Sequence, residues 1–109
     1  MRSICAAALL ASLAAGCGTV QVGKDYDLTA FSTRVQRGVT TRTDVRLWLG
    51  APSSEGVSVE TSGVRYELWT YYRGTGSLPA MSDAHLKMLQ VKFDAQGLVQ
   101  GYEWSGESR

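Results

Sequence analysis

Two cysteines, two prolines and one histidine stand in 109 residues, and each scarcity removes a class of function. With His85 as the sole histidine, any Ser-His-acid or Cys-His device must use that residue. It falls at the start of a predicted strand, behind a glycine-containing loop, with no nucleophile pattern beside it. No Cys/His spacing suits a metal. Gly74-Thr75-Gly76-Ser77 lacks the Gly-Lys-Ser/Thr that completes a phosphate loop and reads as a plain loop. Eleven basic residues face ten acidic ones, a net charge of +1, so there is no basic excess to suggest nucleic acid. There is no internal repeat or low-complexity tract, and no apolar run reaches the ~20 residues that span a bilayer. The chain reads as one small non-enzymatic domain, with no cofactor, metal or small-molecule substrate implied.

The N-terminus reads as an export signal. Met1-Arg2-Ser3 is basic, Ile4 to Ala15 is apolar with only Ser12 interrupting, and small residues follow. Leu13-Ala14-Ala15-Gly16-Cys17 resembles the lipobox of bacterial lipoproteins. That resemblance implies cleavage before Cys17, with diacylglycerol on its sulfur and an acyl chain such as palmitate on its new amine. A plain signal peptide with an incidental cysteine is the other reading. Cys5 leaves with the signal, so Cys17 has no disulfide partner. Arg2 leaves as well, making the mature chain neutral. Residues 1–16 are thus the signal and residues 17–25 the lipidated cysteine and a tether. Seven residues, Gly18 to Lys24, reach at most ~25 Å. Gly18, rather than Asp, after the cysteine points to the outer membrane.

The stretch from Gly38 to Pro52 organises the remainder. Thr41 and Asp44 are spaced as a capping box, and Asp44 lies at the positive end of the helix dipole. Val45, Trp48 and Leu49 form one apolar stripe. Gly50 and Pro52 end the helix. Ahead of it, Asp27 caps a predicted helix over Leu28 to about Arg37, with Tyr26 and Phe31 as a hydrophobic staple and Gly38 as its end. Leu28, Phe31 and Val35 form its buried stripe. One helix this short cannot stand alone in water, so a sheet must cover these stripes.

After Pro52 the period changes to 2. Ser54 to Glu60 is a weak strand and Thr61-Ser62-Gly63 a turn. Val64 to Arg73 is a strong strand, rich in aromatic and β-branched residues. Glu67, Trp69 and Tyr71 share one face; Tyr66, Leu68, Thr70 and Tyr72 share the other. Gly74 to Ala84 reads as a long loop. Lys87 to Phe93 and Leu98 to Trp104 form a hairpin around Asp94-Ala95-Gln96-Gly97, with Leu98 opposite Phe93. The predicted fold class is α+β: two N-terminal helices packed on a three- to four-stranded antiparallel sheet, in two layers. The domain spans residues 26–104, with a frayed C-terminus over 105–109.

These residues resemble the SmpA/OmlA (BamE-like) family of small outer-membrane lipoproteins. The shared pattern is Gly38-Val39-Thr40, the helix from Val45 to Leu49, Gly50-Ala51-Pro52, Trp69-Thr70-Tyr71, and Leu89-Gln90-Val91-Lys92-Phe93-Asp94-Ala95-Gln96-Gly97-Leu98-Val99. The resemblance implies a helix-helix-strand-strand-strand fold. It also implies a lipid-anchored accessory role at the periplasmic face of the outer membrane, in outer-membrane assembly or envelope integrity. By analogy this is β-barrel assembly, with an outer-membrane protein complex as partner. The alternative is a periplasmic inhibitor-like binding module for a single enzyme, since inhibitors of β-lactamase use a similar unit. An enzyme relying on His85 is a third class.

Two surfaces could serve partners. In a two-layer fold both faces of the strand from Val64 to Arg73 cannot be equally buried, which leaves Tyr66, Leu68 and Tyr72 as a candidate partner face. Arg34, Arg37, Arg42 and Arg46 lie within a short span of the helical half. Each contributes ~1 kcal/mol beside an anionic membrane surface; the other reading is an ordinary solvated, ion-paired face.

Overall fold

A computed structural model describes residues 18–106, in which five strands and two helices are formed: β1 (Thr19–Gly23), α1 (Leu28–Arg34), α2 (Arg42–Leu49), β2 (Ser54–Val59), β3 (Arg65–Ser77), β4 (His85–Phe93) and β5 (Val99–Ser105). The sheet is built along β3. Its residues 65–70 pair antiparallel with β2, and its residues 73–77 pair antiparallel with β1. Two short strands therefore lie end to end along one edge of a 13-residue strand. β4 pairs with the other edge of β3, and β5 lies outside β4, again antiparallel.

This corrects the expected fold class. The sheet has five strands rather than three or four, and β1 precedes the helices, which are therefore not N-terminal. The cause is one pairing between two segments that read as irregular. Thr19 to Gly23, read as tether, takes Arg73 to Ser77 as its register partner, so the segment read as a loop from Gly74 continues β3. Backbone hydrogen bonds supply what the glycine side chains cannot. The tether expected over residues 17–25 is thus a strand through most of its length.

The local helix signals hold where they are local. Asp27 Oδ1 accepts the Ala30 amide at 2.9 Å and caps α1. Thr41 Oγ1 accepts the Asp44 amide while Asp44 Oδ2 accepts the Thr41 amide, so both halves of the capping box form. α1, however, stops at Arg34 rather than near Arg37. Beyond it the Gln36 amide donates to Thr40 Oγ1 and the Gly38 amide to the Val99 carbonyl. These bonds to a turn and to the sheet replace continued helical bonds, and Gly38, at φ +75°, serves the inter-helix turn rather than the helix end.

Both helices cover one face of the sheet. Leu28, Phe31, Val45 and Leu49 join Trp69, Tyr71, Leu89, Val91, Phe93 and Val99 in a single buried cluster. Phe31 meets the Tyr102 ring edge-on at 5.0 Å, and Trp69 meets Phe93 at 4.8 Å. Trp48, expected to be buried with Val45 and Leu49 in one stripe, is half-buried at the margin of the cluster instead. Leu98, expected opposite Phe93, bridges Thr41, and Val99 takes the place across from Phe93. A register shift at Lys92 and Phe93 produces this offset.

Candidate binding face

Alternation along β3 sends Glu67, Trp69 and Tyr71 toward the helices and Tyr66, Leu68, Thr70 and Tyr72 the other way. The burial follows: Trp69 and Tyr71 are each 2% exposed, while all four outer residues are half-buried. Across the register, Leu68 lies opposite Lys92, Thr70 opposite Gln90, Tyr72 opposite Met88 and Gly74 opposite Leu86. Lys92 Nζ lies 4.7 Å over the Tyr66 ring, and Gln90 Nε2 donates to Thr70 Oγ1 at 3.4 Å. A shallow depression beside Leu68 is walled by Gln90, Lys92, Gln100 and Gly101. The three residues expected as a partner face, Tyr66, Leu68 and Tyr72, thus share one side of one strand.

Val22, Leu86 and Met88 extend that surface and were not among the expected site residues. Val22 and Leu86 are more than half exposed, and both stand over Gly74, within 4 Å of where its Cβ would be. The alternation of Leu86, Met88, Gln90 and Lys92 carried the signal for this side of β4. Val22 could be placed only once β1 was known to join the sheet.

The four arginines do not act as one patch. The Arg42 guanidinium grips Glu67, with Nε and Nη2 each 2.8 Å from Oε2, while Trp69 Nε1 donates to Glu67 Oε1 at 2.6 Å. Arg46 lies 5.0 Å over the Trp69 ring and 3.7 Å from Glu55. Both side chains of α2 are therefore engaged with the sheet, and a bidentate, stacked geometry is what arginine provides and lysine does not. Arg34 and Arg37 are exposed on the other helix and its following turn.

A cleft of about 780 Å³ opens between the start of α1, the end of α2 and the inner face of β3 and β4. His85, the residue on which an enzymatic reading would depend, is exposed at its wall. Lys87 Nζ donates to the Tyr26 carbonyl at 2.8 Å, lies 3.0 Å from Asp25 and sits 4.5 Å over the Tyr26 ring. Arg73 stands 3.9 Å from the same carboxylate. The hydrogen bond from Lys87 holds the Asp25 carboxyl below its usual range. Burial pushes the phenols of Tyr26 and Tyr71 up to about 12, so both stay neutral at any physiological pH. Tyr71 donates to the Gly50 carbonyl at 2.8 Å and ties the end of α2 to the sheet. The charges in this cleft latch the β1–α1 connection onto β3 and β4. Among the described residues no group of three or more His, Cys, Asp and Glu side chains is placed to hold a metal.

Cys17, the expected lipid attachment point, lies outside the described residues. No helix among the described residues is long and apolar enough to cross a membrane. Compared with known proteins, the chain matches no protein family, no curated protein and no solved structure.

Proposed function

We propose that this chain is a lipid-anchored lipoprotein of the outer membrane, facing the periplasm, with a non-enzymatic accessory or scaffold role in outer-membrane assembly or envelope integrity. The export signal ending in Ala15-Gly16-Cys17 supports the anchor, and the resemblance to SmpA/OmlA proteins suggests β-barrel assembly as the process. The observation that carries a binding role is the outer face of the sheet, which neither helix among the described residues covers. Both helices pack on one side, and the other presents Tyr66, Leu68 and Tyr72 in a row. A small domain has little reason to leave three large side chains of its strongest strand half-exposed unless something docks there.

The anchor is tested at Cys17. Cys17→Ser is expected to leave the domain folded and to move it from the membrane to the soluble fraction, with loss of fatty-acid labelling. A wild-type protein that takes up no label refutes the anchor.

The face is tested at Tyr72. Its side chain points away from the helices, so Tyr72→Ser is expected to lower Tm by only a few degrees. Co-purification from detergent-solubilised envelopes is expected to fall by ~30-fold or more, the range of an interface anchor worth about 2 kcal/mol. Barrel-assembly subunits among the lost partners support the scaffold reading, and a single soluble enzyme supports an inhibitor. Unchanged co-purification by a folded Tyr72→Ser variant moves the partner surface off this face, with Arg34 and Arg37 next to be tested.

A further inference from the structure

We infer that the β3–β4 hairpin tip, Leu78 to Ser82, rests in the membrane interface beside the lipid anchor and stands the sheet upright on the bilayer; this deepens the anchored reading above and rests on it. The argument begins with where β1 starts. It runs antiparallel to β3, and Thr19 pairs with Ser77, the last residue of that strand. One residue earlier, the Gly18 carbonyl accepts the Leu78 amide at 2.7 Å. Cys17 is covalently next to Gly18, and consecutive Cα atoms are ~3.8 Å apart. A lipid on Cys17 therefore enters the membrane alongside the hairpin tip, not at the end of a free tether.

The tip has the chemistry for that place. Leu78-Pro79-Ala80-Met81-Ser82 carries no charge. Leu78 is 40% exposed, and Pro79 and Ala80 are exposed. Met81 folds back over Gly76, where a Cβ would collide with its Cε, so the glycine makes room for an apolar cap on the strand end. The one acidic side chain of the loop, Asp83, is held at the loop's base, where Oδ1 accepts the Ser77 amide at 2.8 Å and Oδ2 accepts its hydroxyl at 2.7 Å. These bonds keep its carboxyl below the usual range and close the loop beneath the tip. A short apolar, charge-free loop on a closed polar base is suited to the headgroup–acyl boundary, where apolar side chains gain and the adjacent backbone stays near water.

The consequence is an orientation. β3 rises ~3.3 Å per residue, so Tyr66 stands roughly 35–40 Å from the tip and faces a partner well clear of the headgroups. Val22 and Leu86 lie lower on the same face, nearer the bilayer.

The test uses full-length protein purified from membranes. In acylated mature protein the Cys17 sulfur is blocked, so Ala80→Cys supplies one reactive thiol for an NBD fluorophore. Ser62→Cys, in the turn at the far end of β3, supplies the control. Each is reconstituted into phosphatidylethanolamine–phosphatidylglycerol vesicles with and without shallow doxyl-labelled lipid, after intact mass has established acylation. The expected result is a blue-shifted probe at residue 80, quenched at least threefold more than the probe at residue 62. Acylated protein with equal, weak quenching at both positions overturns this orientation and leaves the anchor standing. A mass without acyl groups overturns the anchor and the orientation together.

Discussion

Trp69→Ala is expected to destabilise the domain by ~3–5 kcal/mol, the usual range for truncating a fully buried aromatic. Total stability of a small domain is ~5–15 kcal/mol, so the variant is expected to be substantially unfolded at physiological temperature. Trp69 is 2% exposed at the centre of β3. Its ring meets Phe93 at 4.8 Å, lies under the Arg46 guanidinium at 5.0 Å, and donates its indole N–H to Glu67 at 2.6 Å. One truncation therefore opens a cavity, removes a stacking partner from Arg46 and takes a donor from Glu67, the carboxylate that also holds Arg42. Because these contacts share residues, their losses are coupled rather than independent. Trp48→Ala makes the comparison. Trp48 is half-buried at the edge of the core, and its loss is expected to stay below ~2 kcal/mol because the site opens to solvent. Urea unfolding of both variants checks the order. A larger loss at Trp48 than at Trp69 means that the core is centred on the helices and not on β3.

That comparison also shows where the sequence was readable. Val45, Trp48 and Leu49 share a helical stripe, and the stripe does face the sheet, yet periodicity alone cannot say which member sits at its centre. Val45 is fully buried and Leu49 nearly so, while Trp48 is turned to the cleft beside Asp25 and Lys87. The caps at Asp27 and Thr41 were legible because each is made within three residues of chain. The two faces of β3 were legible because alternation needs no partner to be seen. The partners themselves were not legible. Glu67 grips Arg42 across 25 residues of sequence, and no spacing rule connects them.

The most distant pairing was the least legible. Val20 and Val22 alternate with Thr19 and Gln21, which is a strand pattern. It is only five residues long and follows directly on the lipobox, where a tether is the simpler reading. Its partner, Gly74-Thr75-Gly76-Ser77, has the composition of a loop. What makes it a strand is a hydrogen-bonded neighbour more than fifty residues away in sequence, and strand propensity reflects such context more than the residue itself. The same pairing decides the candidate site. Without β1 the outer face ends at Tyr72 and Met88; with it, Val22 and Leu86 extend that face toward the hairpin tip.

Gly23→Val is expected to peel β1 away while leaving the rest of the domain folded. Gly23 is the last residue of β1 and has φ +77°, a conformation that β-branched side chains strongly resist. A Cβ there would also collide with the Tyr72 carbonyl oxygen, which is backbone of the central strand and cannot swing aside. Strain of this kind is worth ~1–3 kcal/mol even before a clash is counted. β1 is an edge strand of five residues, mostly exposed, so its detachment relieves the strain without opening the core. Tyr26, Leu28 and Phe31 stay in place because their cluster does not include β1. The expected result is local. Amide exchange of residues 19–23 and of their partners over 73–77 should accelerate by ~100-fold, corresponding to about 3 kcal/mol of lost protection. Exchange at Leu89, Val91 and Phe93 should change far less, and the urea midpoint should fall only modestly. Equal acceleration across β3 and β4 instead means that β1 belongs to the cooperative core. Unchanged exchange at residues 73–77 means that β1 tolerates a side chain at Gly23. The variant also separates anchoring from orientation. With β1 detached the Gly18–Leu78 hydrogen bond is lost, so a lipid on Cys17 should still hold the protein at the membrane while the NBD probe at residue 80 loses its quenching.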